Sequence, residues 1–153
     1  MSGDEDSDCI RVEGLRKRFA ESGGAESEVL RGISLAVRRG ELVGLTGRSG
    51  SGKSTLLHIM GGLDRDYQGK VWLLGEDLAK LSDRALASLR NRHIGFVFQA
   101  FHLLSHLSCL DNVLLPNAFA VDPLPRAEAE KRAKAALERV GLVEKMASRP
   151  TEL

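Results

Sequence analysis

The chain has 153 residues, the length of a single domain, and its 42% hydrophobic and 28% charged residues are typical of a globular protein. Its formal net charge of +1 gives no basic field that would favour nucleic acid, and its apolar stretches are too short to cross a bilayer. The N-terminus is acidic where a signal peptide would be basic and then apolar, so we expect residues 1–8 to form a disordered acidic tail.

The first half of the chain predicts strands followed by a helix. Residues 9–19 and 29–37 alternate loosely between apolar and polar, which predicts two half-buried strands that pair in antiparallel fashion. Residues 42–45 form a short continuous apolar run, as in a strand that is buried on both faces of a parallel sheet. A Gly-rich loop follows, and residues 53–60 then read as a helix that ends at Gly61.

The second half changes from strands to helices. Residues 70–74 and 94–98 are rich in apolar, β-branched or aromatic residues and predict two further strands. A helix over residues 83–92 is expected between them. Residues 110–120 and 126–140 predict two helices, the second with apolar residues at helical spacing. The expected order is therefore a small β unit, a βα core and a helical unit.

One motif points to a specific chemistry. Residues 47–55 read G-R-S-G-S-G-K-S-T and match G-x-x-x-x-G-K-[ST], a loop whose glycines allow backbone N–H groups to surround a polyphosphate. The helix that follows presents its unpaired N–H groups and positive dipole end to the same anion. We predict that Lys53 contacts the β- and γ-phosphates and that the Ser54 hydroxyl ligates Mg²⁺. The predicted nucleotide contacts in this loop are Gly47, Arg48, Ser49, Gly50, Ser51, Gly52, Lys53, Ser54 and Thr55.

The loop alone does not distinguish a GTPase, a small-molecule kinase and an ABC ATPase. A D-x-x-G string at residues 66–69 lies too close after Lys53 for a GTPase, and the sequence has no N-K-x-D string. A kinase of this loop class would need a mobile Arg-rich lid, whereas Arg84, Arg90 and Arg92 read more simply as a solvated helix face. Both alternatives are weak.

The residues around the loop resemble the nucleotide-binding domains of ABC transporters, and among these the lipoprotein-release and macrolide-export group. The similar strings are L-R-G-I-S-L at 30–35, R-G-E-L-V-G-L-T-G-R-S-G-S-G-K-S-T-L-L at 39–57, G-G-L-D-R-D-Y-Q-G-K-V at 61–71, H-I-G-F-V-F-Q at 93–99 and F-H-L-L-S-H-L-S-C-L-D-N-V-L-L-P at 101–116. The resemblance implies an α/β fold: a P-loop NTPase core with a parallel sheet and flanking helices, preceded by an antiparallel β unit. The β unit and core would span residues 9–99, and the start of a helical subdomain would span residues 100–153.

The resemblance also implies roles for residues outside the loop. Phe19 occupies the position of an aromatic residue that stacks on the adenine ring, and Gln99 that of the Q-loop glutamine, which contacts Mg²⁺ or the attacking water. Lys53 and Gln99 would then be the catalytic residues, and Ser54 and Gln99 the metal ligands. Arg48 departs from the small residue or proline that is common in the family, and we expect its side chain to point to solvent.

The implied cofactors are ATP and Mg²⁺. The implied partners are a transmembrane permease subunit and, for a full-length chain, a second nucleotide-binding domain in a homodimer, with no direct contact to nucleic acid. The implied location is cytoplasmic, on the inner face of the cell membrane. A soluble ABC-type ATPase that acts on nucleic acid is an alternative, which the near-neutral charge disfavours.

The sequence contains no S-G-G-Q signature, no apolar run that ends in Asp-Glu and no switch histidine after it. In the resembled family the signature would begin close after residue 153. We therefore expect an N-terminal part of an ABC ATPase, with the C-terminal part missing, that binds Mg-ATP without turning it over. A non-catalytic nucleotide-binding module is the alternative.

Overall fold

A computed structural model describes residues 8–20, 24, 26–99 and 102–152 of the chain. It divides into two compact units, residues 1–90 and 91–153. Most of the predicted acidic tail, residues 1–7, lies outside the described residues, while Asp8 already belongs to a strand. The strands and helices are β1 (Asp8–Ala20), β2 (Glu26–Arg38), α1 (Lys53–Met60), β3 (Gln68–Leu73), β4 (Glu76–Asp77), α2 (Asp83–His93), α3 (Cys109–Ala118) and α4 (Arg126–Arg139).

The first unit is built on an antiparallel sheet with strand order β2-β1-β3-β4. The expected pairing of the first two strands is confirmed, with Val12 opposite Leu35 and Phe19 opposite Ser27. The other edge of β1 pairs with β3, which places Val12 opposite Val71. The Gly-rich loop and α1 lie between β2 and β3 in the chain, so both ends of this segment are attached to the sheet.

Helix α1 packs against β3 and closes the core of the first unit. Leu15, Ile59 and Val71 are fully shielded from solvent. Burial of each such side chain contributes roughly 1.5–3 kcal/mol. The predicted bounds of α1 are confirmed, and the helix ends at Gly61 as expected. This apolar contact fixes the direction of α1 and therefore of its N-terminus.

Two predicted strands are not formed. The described residues contain one sheet, antiparallel throughout, and residues 42–45 and 94–98 are not part of it. Leu42 is 98% exposed, so the burial on both faces that was expected for residues 42–45 is wrong as well, and Val97 is 103% exposed. The physical reason is that a strand needs neighbours to pair its N–H and C=O groups and to cover its faces. The described residues supply no such neighbours to these segments.

The second unit contains the predicted pair of helices, which pack against each other as α3 and α4. The Ser108 hydroxyl caps α3 by accepting a hydrogen bond from the Asp111 N–H at 3.1 Å. The contact face of α4 consists of Ala129, Ala133 and Leu137, all buried and at helical spacing as predicted. Among the described residues, no helix combines the length and apolar character that a membrane span requires.

Arg90, which was expected on a solvated helix face, is instead bonded to the backbone. In the first unit, the Arg90 guanidinium donates a hydrogen bond of 2.9 Å to the carbonyl oxygen of Gly62, just beyond the end of α1. In the second unit, Arg92 forms a 3.4 Å ion pair with Asp122. Arg84 is exposed as predicted. Arg90 thus stabilises the turn that ends α1.

Candidate functional site

The Gly-rich loop joins an exposed segment to the first turn of α1. Within the loop, the Ser51 N–H donates to the Arg48 carbonyl at 3.2 Å and closes a tight turn. The Lys53 ammonium donates hydrogen bonds to the carbonyl oxygens of Gly47, at 3.0 Å, and of Arg48, at 2.7 Å. The Lys53 side chain therefore folds back across the loop instead of extending away from it. Arg48 is exposed, in agreement with a side chain directed to solvent.

Gly52 is the residue that anchors the loop to the sheet. It is the N-cap of α1 and has left-handed backbone geometry, with φ of +89°. A Cβ atom at this position would lie 2.9 Å from methyl carbons of both Val29 and Leu30 on β2. Both the backbone conformation and the lack of space require glycine here. The close contact with β2 fixes the turn from which α1 begins.

The N-terminus of α1 is open to an external acceptor. Its N-cap supplies no side-chain hydrogen bond, and its first turn contains no acidic residue. The first N–H groups of a helix have no partner within the helix and carry a partial positive charge. Ser54 is exposed in this first turn, while Lys53 and Thr55 are partly exposed. The loop and the helix end thus present an ammonium group and the first N–H groups of a helix, a combination suited to a phosphate chain.

Phe19 lies near the end of β1 and is 44% exposed. It pairs with Ser27, and two residues further along β2 the side chain of Val29 contacts Gly52. Two residues of a strand span roughly 7 Å. Strand β2 therefore connects the exposed aromatic ring to the loop over a short distance, as an adenine-stacking residue would require.

An ionic cluster around a buried lysine, beside Phe19, was not predicted from the sequence. The Lys17 side chain is only 4% exposed, and its ammonium lies 2.9 Å from Asp64 Oδ2 and 3.1 Å from Asp66 Oδ2. The D-x-x-G string at residues 66–69 thus begins with a residue that pairs with a buried lysine. A lysine on a strand is normally solvated, so no local pattern marks it as buried.

Gln99 is the predicted site residue in the second unit. It is exposed and directly follows residues 94–98. In that segment the rings of Phe96 and Phe98 stack at 5.2 Å between centroids. The two predicted metal ligands, Ser54 and Gln99, belong to different units, so their common role at Mg²⁺ stays a prediction.

Residues 30–153 match the family described as "ABC transporter". The chain belongs to this family. It is 50% identical over 131 residues to an uncharacterized ABC transporter ATP-binding protein of Thermotoga maritima, a match that covers 86% of this chain and 55% of the relative. It is 47% identical over 133 residues to the lipoprotein-releasing system ATP-binding protein LolD of Pseudomonas fluorescens, covering 87% of this chain and 58% of LolD. It is also 44% identical over 144 residues to the pyoverdine export ATP-binding/permease protein PvdT of Pseudomonas aeruginosa, a match that covers 94% of this chain and 21% of PvdT. These relatives confirm the expected lipoprotein-release and macrolide-export group.

Solved structures of ABC cassettes confirm the fold class. A dimeric post-hydrolysis ATP-binding cassette bound to ADP and Pi superposes with a TM-score of 0.84 at 35% identity, covering 94% of this chain and 62% of the cassette. The chain spans between about half and two-thirds of the length of this cassette, of the T. maritima protein and of LolD. The likeness covers 94% of the chain, so the Gly-rich loop lies within the fold of an ABC cassette.

Proposed function

We propose that the chain is the ATP-binding part of an ABC transporter ATPase, whose family couples ATP binding and hydrolysis to transport. The observation that carries this proposal is the phosphate loop, anchored by Gly52 against β2 and followed by the uncapped N-terminus of α1. A loop of this geometry presents backbone N–H groups and one ammonium to a triphosphate.

The loop residues divide the work of holding the nucleotide. The backbone from Gly47 to Thr55 surrounds the phosphates, and the Lys53 ammonium exchanges the carbonyl oxygens of Gly47 and Arg48 for oxygens of the β- and γ-phosphates. The exposed ring of Phe19 stacks on the adenine base and keeps the π-face that a tyrosine would offer.

Mg²⁺ fits the donor set around the helix end. The Ser54 hydroxyl is exposed there and is a hard oxygen ligand. Gln99, which belongs to the other unit, stays the second predicted ligand, with an amide oxygen of the same hard class. Within the described ranges, no three His, Cys, Asp or Glu side chains assemble into a metal cage. Mg²⁺ typically binds through few protein oxygens together with substrate phosphates and water. When bound, the ion would neutralise charge on the β- and γ-phosphates.

The partners follow from the relatives. PvdT is named an ATP-binding/permease protein, LolD belongs to a lipoprotein-releasing system, and the ABC cassette structures are dimeric. We propose a transmembrane permease subunit and a second nucleotide-binding domain as partners, a position on the inner face of the membrane, and lipoprotein release or efflux as the transport process. Gln99 would serve at Mg²⁺ or the attacking water and respond to the permease.

Binding of a fluorescent ATP analogue to the purified chain tests the proposal. We expect saturable binding in the presence of Mg²⁺ that Lys53→Ala abolishes and that unlabelled ATP competes away. Lys80→Ala is the matched control, because Lys80 is an exposed lysine of the same unit whose ion pair is with Asp77. Because the sequence lacks the signature and the acidic strand, we expect no steady-state hydrolysis by these 153 residues. Equal binding by the wild type and Lys53→Ala would contradict the assigned site, and robust hydrolysis would contradict binding without turnover.

A further inference from the structure

Lys17 is the one buried charged residue of the described chain and lies two positions before the aromatic residue assigned to adenine. Its ammonium donates to the backbone carbonyl of Asp66 and to the carboxylates of Asp64 and Asp66. These acceptors lie in the turn between α1 and β3, whereas Lys17 lies on β1. The cluster therefore ties the strand that carries Phe19 to the turn that follows the phosphate-loop helix.

The Lys17 ammonium stays charged at neutral pH. Burial by itself lowers the pKa of Lys17, but the hydrogen bonds and charges of Asp64 and Asp66 outweigh it and raise the pKa above the ordinary value of 10.5. The ammonium is thus fully protonated at neutral pH. Its three hydrogen-bond partners hold it in one position, as expected for the three donors of a lysine.

The same ammonium lies over the ring of Phe19, 5.0 Å from the ring centroid. That distance is within the range of a cation–π interaction, and the interaction is stronger when the cation is withdrawn from water. The ring nevertheless remains 44% exposed. The fixed cation contacts the ring and favours one orientation of it, while part of the ring surface stays open for stacking.

We propose that Lys17, held by Asp64 and Asp66, is a positioning residue that orients Phe19 for the adenine base. The inference rests on the proposed function, because it assumes that a nucleotide binds at the loop with its base on Phe19. Lys17 touches no part of the nucleotide in this assignment and acts through the ring. The cluster also links Phe19 to the turn after α1, the helix whose other end binds the phosphates.

Calorimetric titration with two ligands, ATP and inorganic tripolyphosphate, tests the inference because only ATP carries a base. Lys17→Met keeps the length and apolar stem of the side chain and removes the charge. We expect it to weaken ATP binding roughly three- to tenfold and to leave tripolyphosphate binding unchanged. Lys17→Arg restores a cation at this position, and we expect it to recover most of the ATP affinity. Arg18→Met is the control, since Arg18 is the next residue of β1 and pairs with Glu26 on the exposed surface.

A double-mutant cycle with Phe19→Ala separates positioning from a general structural effect. We expect Lys17→Met to cost no further ATP affinity once Phe19 is alanine, because the ring through which Lys17 acts is gone. If Lys17→Met does not fold by circular dichroism, Asp66→Asn replaces it: its side chain is 95% exposed, so the change removes one carboxylate from the cluster without opening the core. The same selective loss of ATP affinity is expected, to a smaller extent.

The outcomes distinguish the inference from the proposed function. A wild-type chain that binds neither ligand overturns the proposed function. A wild type that binds both, with variants that lose ATP and tripolyphosphate equally or lose neither, overturns only the positioning role of Lys17. Additive effects of Lys17→Met and Phe19→Ala would also overturn it.

Discussion

Gly52 offers a direct test of whether β2 supports the phosphate loop, and the perturbation is Gly52→Ala. The residue has φ of +89°, a conformation that costs a residue with a Cβ atom roughly 1–2 kcal/mol. The added Cβ would also lie 2.9 Å from methyl carbons of Val29 and Leu30 and 3.2 Å from the Val29 carbonyl oxygen. Forcing a methyl group into a packed contact of this kind costs about 1–3 kcal/mol more. We expect a total loss of roughly 2–5 kcal/mol, a large share of the ~5–15 kcal/mol that stabilises a typical domain.

Gly50→Ala is the matched control for this prediction. Gly50 lies in the same loop with φ of +75°, but a Cβ atom there would meet nothing within 4 Å. It should therefore cost only the backbone strain of about 1–2 kcal/mol. Urea unfolding followed by circular dichroism gives both free energies, and titration with the fluorescent ATP analogue gives both affinities.

The difference between the two variants isolates the contact with β2. We expect Gly52→Ala to be less stable than Gly50→Ala by about 1–3 kcal/mol and to bind nucleotide more weakly, since the start of α1 must shift. Equal stability and equal affinity of the two variants would refute the reasoning that Val29 and Leu30 hold the loop in place.

Three further predictions concern groups whose environment is unusual. The Tyr67 hydroxyl is buried and, among the described atoms, has no hydrogen-bond partner. Tyr67→Phe should therefore leave the free energy of unfolding, measured in urea, unchanged or raise it by up to ~1 kcal/mol. A decrease of more than ~1 kcal/mol would contradict this. Burial raises the pKa of Tyr67 above 10.0, and the hydrogen bonds and charges of Asp64 and Asp66 raise that of Lys17 above 10.5. The folded state therefore holds both protons more tightly than the unfolded chain does, and stability is lost as pH rises through the folded pKa values. Unfolding midpoints between about pH 8 and 12 should fall less steeply in Tyr67→Phe, because one of the two groups is gone. The Asn112 amide accepts a hydrogen bond from the Leu104 N–H at 2.9 Å and donates to the Leu104 and Ser108 carbonyls. Asn112→Ala should therefore lower the free energy of unfolding by roughly 1–3 kcal/mol and speed hydrogen exchange at Leu104. Unchanged exchange would show that the amide does not hold this turn.

The elements that the sequence predicts correctly are those with a local cause. The alternation of residues 9–19 and 29–37 is visible in the sequence, and both segments pair within the described chain as β1 and β2. Helix α1 has an apolar stripe that begins after Gly52 and stops at Gly61, so its bounds follow from neighbouring residues. The Gly-rich loop is recognisable for the same reason, since its motif is a contiguous string, and its role in nucleotide binding stays a prediction.

The features that the sequence does not predict depend on contacts between distant residues. Residues 42–45 and 94–98 have strand composition, but a strand forms only where another segment pairs with it, and composition carries no information about that partner. Lys17 and Asp64 are far apart in sequence, so no periodicity indicates that the buried lysine pairs with this carboxylate. The support of Gly52 by Val29 is equally non-local, and only the structure shows it.

The most direct test of the central claim, that residues 47–55 bind the phosphates of ATP, is amide mapping by NMR. Mg-ATP is added to the ¹⁵N-labelled chain, and the chemical-shift changes of the backbone N–H groups are recorded. We predict the largest changes at residues 50–55, in the loop and the first turn of α1, and their loss in Lys53→Ala. Changes confined to other parts of the chain, or no changes at saturating Mg-ATP, would contradict the assignment of this loop as the nucleotide site.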